Sequence, residues 1–118
     1  MQDLKKRYKL FAINVGMLIQ LLPKSTINNA YSNQLIRSSS SPGTNYRAAC
    51  RGKSMPDFIN KLKIVEEELD ESVYFLELLQ YFNPELNDQI DELAKEAGEL
   101  LAITVQSIKT ARTKPRTS

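Results

Sequence analysis

Between Met55 and Phe82, the residues Phe58, Leu62, Val65, Leu69, Ser72, Leu76 and Leu79 recur at intervals of 4, 3, 4, 3, 4 and 3. This alternation places all seven on one stripe of an α-helix and rules out a strand, whose faces alternate every second residue. A helix with one long apolar stripe has to cover it, so the rest of the chain must supply matching helices. It does. Leu4, Tyr8, Phe11, Val15, Leu18 and Leu22 repeat at 4, 3, 4, 3 and 4, widened by Ala12 and Ile19. Leu86, Ile90, Leu93, Ala97, Leu100, Thr104 and Ile108 carry another seam, supplemented by Leu101, Ile103 and Val105.

The breaks between these runs have recognisable chemistry. Pro23 stops the first helix, and the connection Lys24 to Asn29 offers Thr26 or Asn28 as the next cap. Gly52 is the natural left-handed residue to end a helix after Ala48 and Ala49. Ser54 stands three residues before Asp57, a capping-box spacing, with Pro56 tolerated in the first turn. Asn83-Pro84 reads as N-cap and first helical residue of the last helix. The segment from about Asn29 to Arg51 is the least regular, because Ser38 to Ser41, Pro42 and Gly43 are poor helix formers. Neither flank is long enough to be a domain of its own. The segment therefore reads as a kinked helix packed through small side chains, burying Tyr31, Leu35, Ile36, Tyr46 and Ala49.

Four helices with short connections predict an all-α, antiparallel up-down-up-down four-helix bundle over residues 1–110, with 111–118 as a disordered basic tail. The helix from Met55 to Phe82 carries a second stripe of Ile59, Tyr74, Phe75, Leu78 and Phe82. That is more apolar surface than one seam needs, which fits either a subunit interface or a deeply buried central helix.

Charge is distributed unevenly. Residues 1–63 hold eleven Lys/Arg against Asp3 and Asp57, a net +9, while residues 64–118 hold five against twelve Asp/Glu, a net −7. The first half therefore seeks an acidic partner, either nucleic acid or the acidic half of another copy, unless the split only reflects solvated helix faces of differing sign. Cys50 is the one cysteine and there is no histidine, which excludes an internal disulfide, ordinary zinc sites and a Cys–His nucleophile. Cys50 reads as a small buried packing residue in a protein of the cytoplasm. The run from Leu10 to Leu22 is too short and polar to span a bilayer, and Pro23-Lys24 stands where a leader's small-residue cleavage site belongs. No cofactor is expected.

The run Gly43-x-Asn45-Tyr46-Arg47-Ala48-Ala49-Cys50-Arg51 is followed by Ser54-x-x-Asp57-Phe58-Ile59-x-Lys61-Leu62. Then come Ile64-Val65-Glu66-Glu67-Glu68-x-Asp70-Glu71-Ser72 and Leu76-Glu77-Leu78-Leu79. Together these closely resemble the bacterial four-helix bundle family first noticed as open reading frames within intervening sequences of 23S ribosomal RNA genes. The resemblance spans nearly the whole chain. It departs at Pro42, where the family pattern leads one to expect a branched apolar residue. The resemblance implies a left-handed antiparallel bundle that assembles into a homopentameric ring. A related family, the accessory variability protein of diversity-generating retroelements, is a basic pentamer that binds nucleic acid and a reverse transcriptase.

Nucleic-acid binding needs clustered cations, ideally with aromatics for stacking. The candidates are Lys5, Lys6, Arg7 and Lys9 at the start of the first helix and Arg47, Arg51 and Lys53 at the corner, with Arg112, Lys114 and Arg116 in the tail. Tyr8 and Tyr46 interleave with two of these clusters. Intersubunit salt bridging is the competing use for Arg47 and Arg51. A third reading is a scaffold that displays surfaces to another protein. An enzyme reading would rest on Glu67, Asp70 and Glu71 facing Asp88, Asp91 and Glu92 across two helices to hold Mg²⁺. The chain has no phosphate-binding loop to accompany it.

Overall fold

The computed structural model describes residues 3–114 and contains four α-helices: α1 Leu4–Leu21, α2 Thr26–Cys50, α3 Met55–Phe82 and α4 Asn87–Thr113. A single 3₁₀ turn, Pro84–Leu86, leads into α4. The helices run antiparallel in sequence order and form an up-down-up-down bundle 54 Å long and about 20 Å across. The seams read from the sequence are its core. Tyr8, Phe11, Val15 and Leu18 of α1 meet Leu35 of α2, Val65, Leu69, Leu76 and Leu79 of α3, and Ile90, Ala97 and Leu100 of α4. A smaller cluster of Ala49, Leu62 and Ile108 closes the other end. Each fully buried aliphatic side chain contributes roughly 1.5–3 kcal/mol, which is what holds four otherwise marginal helices together.

Caps follow the predicted chemistry in part. Ser54 accepts from the Asp57 amide at 3.2 Å, as the capping-box spacing predicts. The cap of α2 is Ser25, accepting from the Asn28 amide at 3.0 Å, and not Thr26 or Asn28; α2 accordingly starts three residues earlier than expected. Gly52 is not left-handed, since no described residue has a positive φ. Space is what selects glycine there: a Cβ would lie 2.9 Å from both the Ala49 carbonyl oxygen and an Asp57 carboxylate oxygen. Asn83 makes no cap hydrogen bond. It is buried, and it turns inward instead.

Inward, Asn83 meets Asn28. Each amide donates to the other's carbonyl oxygen at 2.9 Å, Asn28 also donates to the Pro23 carbonyl at 2.9 Å, and Asn83 to the Leu79 carbonyl at 2.8 Å. All four amide hydrogens of the pair are used. The pair ties the α1–α2 connection to the α3–α4 connection at one end of the bundle. Mid-bundle, the buried hydroxyls of Ser38 and Ser72 meet at 3.0 Å. Serines and Pro42 on the inner face of α2 give it little side-chain bulk there, and α2 runs through Pro42 as one unbroken helix. Tyr31 and Tyr46 are partly buried, but Ile36 is 41 % exposed, contrary to the reading that buried it. Cys50 is also exposed, so it is not a packing residue. α4 continues to Thr113, and the first residues of the expected tail are therefore helical. The rest of that tail, Arg116 included, lies outside the described residues.

Replacing Asn83 with Ala leaves the Asn28 amide buried with two of its three hydrogen bonds gone, at a cost of about 1–3 kcal/mol. Thermal or urea unfolding should show that loss for Asn83→Ala and for Asn28→Ala alike. The double variant should cost clearly less than the two singles combined, because both delete the same interaction. Strict additivity would mean that the pair does not act as one unit.

Candidate nucleic-acid interface

The α1–α2 pair crosses closely at Gly43, where an added Cβ would sit 3.4 Å from the Tyr8 Cβ. Flanking that crossing, the helices leave an open groove of about 530 Å³ floored by Tyr8, Ala12, Gly43 and Thr44. Lys5, Lys6 and Lys9 line it from α1, and Arg47 and Arg51 from α2 and its C-cap. Lys5 and Lys9, like Arg47 and Arg51, are four residues apart and project on one side of the helix. All five are exposed, and none has an ion-pair partner among the described residues. Asp3, which caps α1 through the Lys6 amide, is the one carboxylate lining the groove. Arg47 lies in the last turn of α2 and also offsets the negative end of that helix dipole. Five cations sharing one groove exceed what a helix end requires.

Two of the seven residues expected in the interface stand apart. Arg7 points to the opposite side of α1 and grips α4: its Nε and one terminal nitrogen reach the two Glu96 oxygens at 2.7 Å, and Glu99 accepts at 2.7 Å. That forked pair, foremost the hydrogen bond to Glu96, pushes the guanidinium's pKa above its ordinary value, although partial burial opposes the shift. Arg7 is thus a bundle clamp and not a groove residue. Lys53 sits exposed in the turn between α2 and α3 and does not line the groove.

The tyrosines expected to interleave with the cations are not offered to a ligand for stacking. Tyr8 is 1 % exposed, and its hydroxyl meets that of Thr104 at 2.8 Å while Thr104 donates to the Leu100 carbonyl at 2.7 Å. Tyr46 is partly buried and packs its ring on Tyr8 with centroids 5.1 Å apart. Burial raises the pKa of both phenols, and that of Tyr46 is pushed up to about 12, with the neighbouring Cys50 thiol as the next cause.

The topology adds cations that the linear reading could not group. Because the Asn28–Asn83 pair marks one end, the other end gathers the start of α1, the end of α2, the start of α3 and the end of α4. Lys63 of α3 accordingly shares a second hollow of about 330 Å³ with Arg112 of α4 and Lys114, its C-cap. Glu85, Asp88, Asp91 and Glu92 lie near the opposite end, in the turn before α4 and its first turns. The split between basic and acidic halves of the sequence thus becomes a polarity along the bundle. The signal that could have found this is the pairing register, since an antiparallel bundle superposes low and high residue numbers.

The acidic helix faces do not form a cation site. Glu71, with Glu68, is taken by Arg37. No group of three or more potential metal ligands occurs among the described residues. The surplus apolar stripe of α3 is only partly covered. Phe75 packs on Tyr31 with centroids 6.1 Å apart, but Tyr74, Tyr81 and Phe82 are exposed, so this end of α3 is not a deeply buried central helix. On another flank, Leu10, Ile13, Met17 and Leu21 of α1 form an exposed apolar row. Leu10, Met17 and Leu21 edge a groove whose far wall is Gln89, Glu92 and Glu96 of α4. No described helix is long and apolar enough to cross a membrane.

Fold and surface define an all-α antiparallel bundle with one strongly basic end. The family model of the 23S rRNA-intervening sequence protein matches residues 2–106, and the chain belongs to that family. A crystal structure of a protein of unknown function from the S23 ribosomal protein family of Bacteroides thetaiotaomicron VPI-5482 superposes with a TM-score of 0.81. It is 30% identical, and the alignment covers 91% of this chain and 99% of that one. No curated protein matches. Neither comparison indicates a catalytic family.

The raised phenol pKa values fix a pH dependence. The folded state keeps the Tyr8 and Tyr46 protons at pH values where the unfolded chain, titrating near 10, releases them. The Tyr46 contribution to stability is therefore complete below pH 10 and lost as pH rises through about 12, and the raised pKa of Tyr8 acts in the same direction. Denaturant midpoints measured from pH 8 upward should fall across that window, and Tyr46→Phe should flatten the fall. An unchanged slope in Tyr46→Phe would mean that its phenol is not held protonated by burial.

Proposed function

We propose that this chain is a non-enzymatic nucleic-acid-binding bundle that works in the cytoplasm as a homo-oligomer, on the family resemblance a ring of five. The observation that carries the binding reading is the groove in which Lys5, Lys6, Lys9, Arg47 and Arg51 stand without acidic partners among the described residues. Phosphates are the complementary ligand, and a ring repeats the groove around its axis, turning a modest patch into a multivalent one. The family's tie to 23S rRNA intervening sequences makes structured RNA the first probe. Assembly is supported by two apolar surfaces on different flanks, the Leu10–Met17–Leu21 row and the Tyr74–Tyr81–Phe82 end of α3. Two unlike surfaces suit the head-to-tail contact of a ring. The reducing compartment accords with Cys50, which is exposed and has no second cysteine in the chain to pair with.

A protein-binding scaffold is the second reading, favoured by the same apolar row on α1. Binding of an RNA hairpin across a salt series separates the two. Affinity should fall steeply, by about 0.9 log units per log unit of salt for each phosphate neutralised. Arg47→Ala/Arg51→Ala should lower that slope by about 2 while the oligomer's mass is unchanged. An intact oligomer that binds no nucleic acid even at low salt sinks the nucleic-acid reading and leaves the scaffold. For assembly, Met17→Glu should reduce the mass in solution towards the 13.4 kDa monomer; a mass of 13.4 kDa for the unaltered protein would refute the ring.

A further inference from the structure

The groove's chemistry is one-sided, and that narrows what it can hold. Proteins that grip unpaired strands combine cations with exposed aromatic faces on which bases stack, each stack worth about 1–3 kcal/mol. Here the aromatics nearest the groove's cations, Tyr8 and Tyr46, are consumed inside the bundle. Tyr8 is sealed beneath the groove by Thr104, and the Tyr46 ring lies against Tyr8. The rest of the floor is Ala12, Ser40, Gly43 and Thr44, which offers no surface for a base to stack on and no amide side chain to read one. What the groove offers is positive charge on two antiparallel rows. The second hollow at the same end sets Lys63, Arg112 and Lys114 around Met55, Pro56, Ile59 and Asn60; it too holds no aromatic ring, Asn60 is its one amide, and the half-buried Phe58 lines the neighbouring hollow with Lys114.

On the reading that this end binds nucleic acid, we infer that its ligand is the phosphate backbone of a double helix, gripped without regard to base sequence by the α1–α2 groove and the Lys63–Arg112–Lys114 hollow. A purely electrostatic site follows charge density. A duplex carries one charge per about 1.7 Å of axis and releases about 0.9 counterion per phosphate contacted, against about 0.7 for a single strand. Without stacking to compensate, the unpaired strand is the poorer ligand. A double-stranded stem also keeps its bases folded away, so nothing is lost where the protein has no means to read them.

The test compares a 20-base-pair RNA duplex, two further duplexes of shuffled sequence, and unstructured oligouridine of matching length, all with the full-length protein at fixed salt. The duplexes should bind on the order of tenfold more tightly than oligouridine and within about twofold of one another. Lys5→Gln/Lys9→Gln and Lys63→Gln/Arg112→Gln should each weaken duplex binding and lower its salt slope by about 2. All four side chains are exposed, and circular dichroism verifies that the variants stay folded. Tyr46→Phe should leave affinity unchanged. Oligouridine bound as tightly as the duplexes, or a strong preference among the duplex sequences, overturns this inference while leaving nucleic-acid binding standing. Loss on Lys5→Gln/Lys9→Gln but none on Lys63→Gln/Arg112→Gln would overturn the two-site grip. Failure to bind any of the probes overturns the reading itself.

Discussion

Antiparallel register is the constraint on which the rest of this structure depends. Apolar seams with a 4–3 repeat attract one another strongly but specify position weakly, because a slip of one repeat returns leucine to leucine. Buried polar pairs remove that ambiguity. The Asn28–Asn83 amides match only where α2 begins and α3 ends, and the Ser38 and Ser72 hydroxyls meet only in the same alignment. Tyr8 with Thr104 and Arg7 with Glu96 set α1 against α4 in the same sense. Among the described residues no buried side-chain nitrogen or oxygen lacks a partner, so any slip would strand several at once.

Register in turn decides what the surface can do. Chain segments distant in sequence, the first turns of α1 and α3 and the last turns of α2 and α4, are brought to one end of a 54 Å rod. The cations they carry then lie on two hollows of that end, while carboxylates of α4's first turns lie towards the other. Arg7 shows how the same helix can divide its charges. It lies in the same run as Lys5, Lys6 and Lys9, yet it faces α4 and is tied to Glu96, whereas they face α2 and are not. The groove is therefore a selection from the basic run, made by helical phase.

Much of the bundle was legible because its determinants are local and periodic. The seams of α1, α3 and α4, the stop at Pro23 and the Ser54 cap follow from spacing and capping chemistry alone. The misreadings have physical causes that spacing along the chain does not carry. Asn83 has the spacing of an N-cap, but a partner 55 residues away draws its amide inward. Gly52 has the position of a left-handed cap, yet the crowding of Ala49 and Asp57 selects it. Tyr8 and Tyr46 look available beside their cations until the crossing of α1 and α2 stacks them. For the candidate interface, the sequence shows the cation clusters but neither the diversion of Arg7 to α4 nor the meeting of Lys63 with Arg112 and Lys114, because both are properties of the pairing of helices.

If nucleic acid is held as proposed, one end of the bundle, and not the chain's positive charge at large, is the binding surface. Amide chemical-shift mapping during titration with a short RNA hairpin tests it most directly. Perturbations should concentrate at residues 5–9, 40–51, 60–63 and 109–114, with the Asn28–Asn83 end silent. Perturbations centred on Lys24, Arg37 or Lys95, or spread evenly over the rod, would contradict it.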